Sequence, residues 1–122
     1  MPHLTLEYTN NLGTITPDSF LLALNHALVA SGHFEEADIK SRAIVLDTWR
    51  VGVASSDHAF VHVRLAILSG RSAQVRSELS NALLRVLRVS CKGLTNHPLQ
   101  LCVEVVEIER ASYAKEVLNV MA

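Results

Sequence analysis

The chain carries one pattern twice, and this duplication constrains its fold more than any other feature. His3-Leu4-Thr5-Leu6 and His62-Val63-Arg64-Leu65 share an apolar alternation set 59 positions apart. Alternation with period two marks a strand that turns one face to the core. Strands are therefore expected from about Pro2 to Tyr8 and from about Ala59 to Leu68. Behind the first, Thr16-Pro17-Asp18 opens a helix, with Thr16 suited to the N-cap and Pro17 to the first helical position. Phe20, Leu24, Ala27 and Leu28 fall on one helical face, and Gly32 supplies a stop after about Ser31. Behind the second strand, Gly70-Arg71-Ser72 makes a turn and Ser72 caps a longer helix. Its apolar face is Val75, Leu79, Ala82, Leu83, Val86 and Leu87, and Gly93 follows its end. Each half closes on a further strand, Ile39 to Asp47 in the first and Leu99 to Glu107 in the second.

A β-α-β connection favours parallel pairing through a right-handed crossover. The expected class is α+β, built from α/β-like repeats: a four-stranded sheet with two helices on one face. The repeats span about 2–48 and 59–109 of a single domain covering 1–122. Gly52 to Asp57, small and polar, reads as the linker between halves. The last dozen residues, Ala111 to Ala122, are weakly periodic and read as a C-terminal arm or short helix. A sheet with helices on one side only leaves its other face bare, which points to an oligomer.

Composition narrows the function classes. Apolar residues make up 49% and charged residues 19% of the 122, as expected of one folded domain with its own core. The net charge is −1 and the eleven Lys and Arg residues are dispersed, so nothing argues for nucleic acid or an acidic membrane surface. No stretch approaches the ~20 apolar residues of a membrane span, and residues 1–20 do not read as a secretory leader. Cys91 and Cys102 have neither CxxC nor zinc-ligand spacing. The expected setting is the cytoplasm, with both thiols reduced.

Pro2 stands directly behind Met1. Removal of an initiator methionine ahead of a small residue would leave a chain that begins with a secondary amine. A terminal amine starts only about one unit above neutrality. Burial disfavours its charged form, so modest desolvation would leave a base at physiological pH.

Met1-Pro2-His3-Leu4, Glu7-Tyr8, Asn10-Asn11, Ile39-Lys40-Ser41-Arg42, Leu46-Asp47-Thr48-Trp49, Ala59-Phe60-Val61-His62 and Gly70-Arg71-Ser72 occur in this order along nearly the whole chain. Together they resemble the 5-carboxymethyl-2-hydroxymuconate isomerase family of the tautomerase superfamily. The resemblance implies a tautomerase/MIF-like duplicated fold, a homotrimer and no cofactor. It also implies keto-enol isomerisation of a small carboxylated dienol in aromatic catabolism, with Pro2 as catalytic base. Such chemistry moves one proton and needs one base, with no metal or nicotinamide. Arginine suits the substrate's carboxylates because its planar fork binds them bidentately.

Three cations are candidate substrate ligands. Arg71 matches the arginine of the family's Gly-Arg-Ser motif; as a turn residue it should contribute little to folding. Lys40 and Arg42 lie two apart on one strand and so share a face. The family generally shows arginine at both positions, and Lys40 offers a point charge instead of a fork. Either the substrate differs, or Arg42 and Arg71 carry the recognition alone. Two other readings follow: a tautomerase for a different enol or α-keto acid, and a non-catalytic trimeric ligand-binding protein of the same fold.

The remaining conspicuous residues read as structural. His3 and His62 occupy matched positions in the repeats and are expected to hydrogen-bond between strands or subunits. Trp49 and Phe60 suit a core or interface role. Cys91 and Cys102 read as buried thiols. Glu104, Glu107 and Glu109 read as solvated or paired, and the histidines show no metal spacing.

Overall fold

Leu4, Leu6 and Tyr8 of β1 (His3–Thr9) and Val61, Val63, Leu65 and Ile67 of β3 (Ala59–Leu68) all turn to one face of a sheet and are buried there. The computed structural model describes residues 1–53 and 57–119. Its sheet runs β2-β1-β3-β4, with β2 (Lys40–Leu46) and β4 (Leu99–Ile108) at the edges. β1 pairs with β2 in parallel, β3 with β4 in parallel, and β1 with β3 antiparallel. The sheet is therefore mixed, and each repeat forms the expected parallel pair.

Both helices pack on the apolar face. α1 (Pro17–Ala30) buries Phe20, Leu24 and Leu28, and α2 (Ala73–Ser90) buries Leu79, Leu83 and Leu87. These side chains and those of the sheet form one hydrophobic cluster. Burying a leucine or phenylalanine side chain contributes about 1.5–3 kcal/mol relative to exposure, and these five leucines and one phenylalanine fasten both helices to the sheet. Ser72 caps α2 as expected, accepting a hydrogen bond from the Val75 amide at 3.1 Å. Thr16 stands at the N-cap of α1 with extended backbone, yet its side chain accepts no cap bond. Pro17 and Asp18 do that work instead: one removes an orphan N–H, and the other places negative charge at the helix start. Gly32, at φ +79°, provides the left-handed stop behind α1.

The antiparallel register discloses the symmetry of the duplication. His3 lies opposite Ala66, Thr5 opposite Arg64, and Glu7 opposite His62. Counting 59 positions on from Thr5 gives Arg64, so each residue of this central pair is the other's counterpart. A local two-fold axis passes between them.

The open face is polar at its centre. His62 Nε2 lies 2.9 Å from Glu104 Oε1, its Nδ1 lies 3.6 Å from Glu7, and Arg64 Nε donates to Glu104 at 3.1 Å. Hydrogen bonding to Arg64 holds the Glu104 carboxyl below its ordinary range. His62 and Glu104 thus take the paired, cross-strand roles expected of them.

Several expectations need correction. Cys91 is buried, and desolvation pushes its thiol up to about 11, but Cys102 is exposed because its position on β4 faces away from the helices. Of the core or interface role expected of Trp49 and Phe60, the core half does not hold, since both stay outside the hydrophobic cluster. They meet edge to face at 6.2 Å, and the Trp49 indole donates to Asn10 Oδ1 at 2.9 Å. Residues 54–56 of the expected linker, and 120–122 of the terminal segment, lie outside the described residues. The described part of that segment makes one 3₁₀ turn, Arg110–Ser112, and then continues without helix as an arm.

Candidate active site

Pro2 immediately precedes β1 and is buried. Its carbonyl accepts a hydrogen bond from the Lys40 amide at 3.1 Å, which ties the start of the chain to the edge strand β2. With Met1 present, the Pro2 nitrogen belongs to an amide, and the terminal amine is that of Met1, 3.9 Å from Asp38 Oδ2. Burial is the main cause that lowers this amine from its ordinary value; Asp38 opposes the shift, and Lys40, Lys115 and Arg71 add to it. Asp38 is itself held by Lys115 at 2.8 Å, and that bond keeps its carboxyl below the usual range.

Beside this terminus lies a cleft of about 200 Å³, lined by Met1, His33, Phe34, Asp38, Arg71 and Arg110 among others. Arg71 enters from the turn between β3 and α2. Its Nη2 donates to the His33 carbonyl at 2.9 Å, its Nη1 lies 3.3 Å from His33 Nδ1, and its guanidinium sits 5.0 Å from the centre of the Phe34 ring. The turn arginine is thus fastened to the loop behind α1, contrary to the expectation that it matters little to folding.

The two cations of β2 behave differently. The Lys40 ammonium donates to the Asp38 carbonyl, so it borders the cleft without reaching into it. Arg42 is exposed and does not line the cleft. Its Nη2 lies 3.0 Å from His3 Nδ1, while His3 Nε2 lies 3.0 Å from the Tyr113 hydroxyl, which donates to Met1 Sδ at 3.2 Å. Arg42 therefore meets the chain terminus only through a relay of side chains. Burial first, and then the charges of Lys40 and Arg42, lower the pKa of His3.

Of the four residues singled out by sequence, Arg71 lines the cleft, Pro2 adjoins it through Met1, Lys40 sits at its edge and Arg42 stands apart. His33, Phe34, Asp38, Arg110, Tyr113 and Lys115 escaped sequence reasoning. The Gly32-His33-Phe34 run directly behind a helix stop was a usable signal for two of them. A larger groove of about 630 Å³ between α1 and α2 is lined mostly by alanine, valine and serine, with Arg85 as its one charged group. It offers no convergent acid–base chemistry, so the smaller cleft is the better candidate.

Residues 2–120 match the family model CHMI, 5-carboxymethyl-2-hydroxymuconate isomerase. The chain belongs to this family. The 5-carboxymethyl-2-hydroxymuconate Delta-isomerase of Escherichia coli is 32% identical over 110 residues, which cover 88% of this chain and 87% of that protein. The crystal structure of a 5-carboxymethyl-2-hydroxymuconate isomerase from Deinococcus radiodurans R1 is 36% identical, with a TM-score of 0.86 over 94% of this chain and 88% of that one. A fused 4-OT symmetric trimer shares the fold at 14% identity, with a TM-score of 0.68 over 93% of each chain. Membership of the 5-carboxymethyl-2-hydroxymuconate isomerase family makes the chain an enzyme of the isomerase class, and the duplicated architecture agrees. Among the described residues, no helix is long and apolar enough to cross a membrane.

Proposed function

We propose that this isomerase interconverts enol and keto forms of a carboxylated dienol such as 5-carboxymethyl-2-hydroxymuconate, with Pro2 as its base once Met1 is removed. The observation that carries the reading is the position of Pro2: buried, anchored to β2, and adjoining a cleft that holds Arg71. The neutral prolyl nitrogen takes the proton of the enol hydroxyl. The electron pair moves through the conjugated system to a distal carbon, and the prolinium returns the proton there. No atom is gained or lost. General acid–base transfer of this kind contributes about 10²–10⁴ in rate. Arg71 supplies the remaining element, a fixed cation for a substrate carboxylate.

Desolvation and nearby cations already lower the amine of Met1 at this point of the fold. A prolyl amine would meet the same cationic surroundings, which favour its neutral, basic form. The open sheet face supports assembly as a homotrimer, in line with the fold shared with a symmetric trimer, and the reading places the enzyme in the cytoplasm. Lys40, turned to a backbone carbonyl and lacking a fork, favours a substrate whose carboxylate pattern differs from that of an enzyme with arginine there.

The test is turnover of a simple enol acid, phenylenolpyruvate, by protein whose mature N-terminus is verified by intact mass. Pro2→Ala should retain assembly and lose most ketonisation. Unchanged turnover, or a native protein that keeps Met1 while active, would remove Pro2 as the base.

A further inference from the structure

Arg110 was not among the candidate ligands, yet it lines the same cleft as Arg71. It follows β4 in the 3₁₀ turn Arg110–Ser112, and the parallel pairing of β3 with β4 brings that turn beside the residues that lead into Arg71. The Ser69 amide donates to the Ile108 carbonyl at 2.9 Å, and Arg110 Nε donates to the Ser69 carbonyl at 2.7 Å. Gly70 separates Ser69 from Arg71 and has φ +123°, a conformation that side chains rarely adopt. A Cβ on Gly70 would lie 3.8 Å from both Nε and Nη2 of Arg110, so the guanidinium lies over this bare glycine.

The cations around the cleft are unequally free. Both terminal nitrogens of Arg71 face His33, and the Lys40 ammonium is spent on the Asp38 carbonyl. Arg42 lies against His3, and Lys115 is paired with Asp38. Arg110 is fixed through Nε alone; among the described residues its terminal nitrogens have no hydrogen-bond or carboxylate partner. A guanidinium anchored at Nε, with its two outer nitrogens open, is arranged to grip a carboxylate.

We propose that Arg110 is the second carboxylate-binding residue of the cleft and makes it select diacids over monoacids. This rests on the reading of the cleft as the substrate site. Arg110 grips one carboxylate of the ligand with its open terminal nitrogens, and Arg71, which lines the same cleft, supplies the positive charge that the other carboxylate faces. Arg110 thereby supplies the forked contact that neither Lys40 nor Arg42 makes in the cleft.

The test uses unreactive ligands, so it does not depend on turnover. Adipate and hexanoate, a diacid and a monoacid of equal carbon count, are titrated into the full-length protein by NMR, with wild type, Arg110→Gln and Arg110→Lys compared. A charge-assisted contact predicts that Arg110→Gln weakens adipate about tenfold or more and leaves hexanoate unchanged. Arg110→Lys, which restores charge without the fork, should recover part of the loss. Equal weakening of both ligands, no weakening of either, or wild-type shifts that map away from the cleft would overturn the proposal. Absence of enol turnover by wild type, with adipate selectivity intact, would instead count against the isomerisation reading and leave the role of Arg110 standing.

Discussion

Replacing Arg71 by Ala should injure folding and substrate binding by separable amounts. In the free protein the change removes a hydrogen bond of 2.9 Å to the His33 carbonyl and the stacking of the guanidinium on Phe34 at 5.0 Å. A hydrogen bond from a charged donor contributes about 1.5–3 kcal/mol, and a partly solvated cation–π contact about 0.5–1 kcal/mol. Arg71 is half-buried, so solvent recovers much of this, and a loss of about 1–2 kcal/mol is expected. For a domain of this size that lowers Tm on the order of 5 °C. The substrate contact is lost in addition, which should raise KM for a carboxylated enol roughly 10–100-fold. Arg71→Lys should fall between, because it keeps the charge but neither the fork nor the planar stack. The assay pairs thermal melts with initial rates on phenylenolpyruvate. A fall in Tm with KM unmoved would make Arg71 a strut between the turn and the His33–Phe34 loop, with no part in binding. An unchanged Tm would refute the energetic account of that packing.

Two further predictions concern stability. Ser72→Ala should cost about 1 kcal/mol, because it deletes the cap bond to Val75, whereas Thr16→Ala should cost only a few tenths, because Thr16 makes none; urea midpoints compare the two, and equal losses would refute the distinction. The lowered pKa of His3 predicts a pH effect of definite sign. The unfolded chain binds the His3 proton more readily, so this group's contribution is full above its unfolded pKa and is lost as pH falls from about 6.5 toward the folded value. Asp38 and Glu104, also lowered, lose theirs only at more acidic pH, below their unfolded values near 3.8 and 4.5. His3→Gln should therefore lose less stability than wild type between pH 7.5 and 5.5, and parallel unfolding curves would sink the assignment.

The strands and helices were legible because each writes its period locally. Leu4-Thr5-Leu6 alternates, and Leu79, Leu83 and Leu87 recur at helical spacing. The parallel pair within each half followed from the handedness of the crossover. The antiparallel β1–β3 junction was not legible, because nothing local in either strand states which edge of one repeat meets the other. The site divided along the same line. Pro2 and Arg71 carried recognisable neighbours in sequence. Arg42 shared a strand face with Lys40 as expected, but that face leads to His3 and not into the cleft. Arg110, Tyr113 and Lys115 sit in a segment with weak periodicity, and only the tertiary fold returns it to the terminus. The burial of Cys102 was misjudged for a related reason: a cysteine inside a strand does not say which side of the sheet it takes.

The two-fold relation between the repeats has an asymmetric outcome. The counterpart of Pro2, 59 positions on, is Val61, an interior residue of β3 paired opposite Tyr8. A chain has one beginning, so two equivalent places in the fold can receive only one free amine. On the reading that Pro2 is the base, the matching position in the second repeat cannot serve as one. The corresponding end of β3 carries Phe60 against Trp49 instead, and the edge strand beside it carries Cys102 opposite His62, where the first repeat has Lys40 opposite His3. Duplication here halves the number of termini per repeat and leaves the second repeat open to other uses.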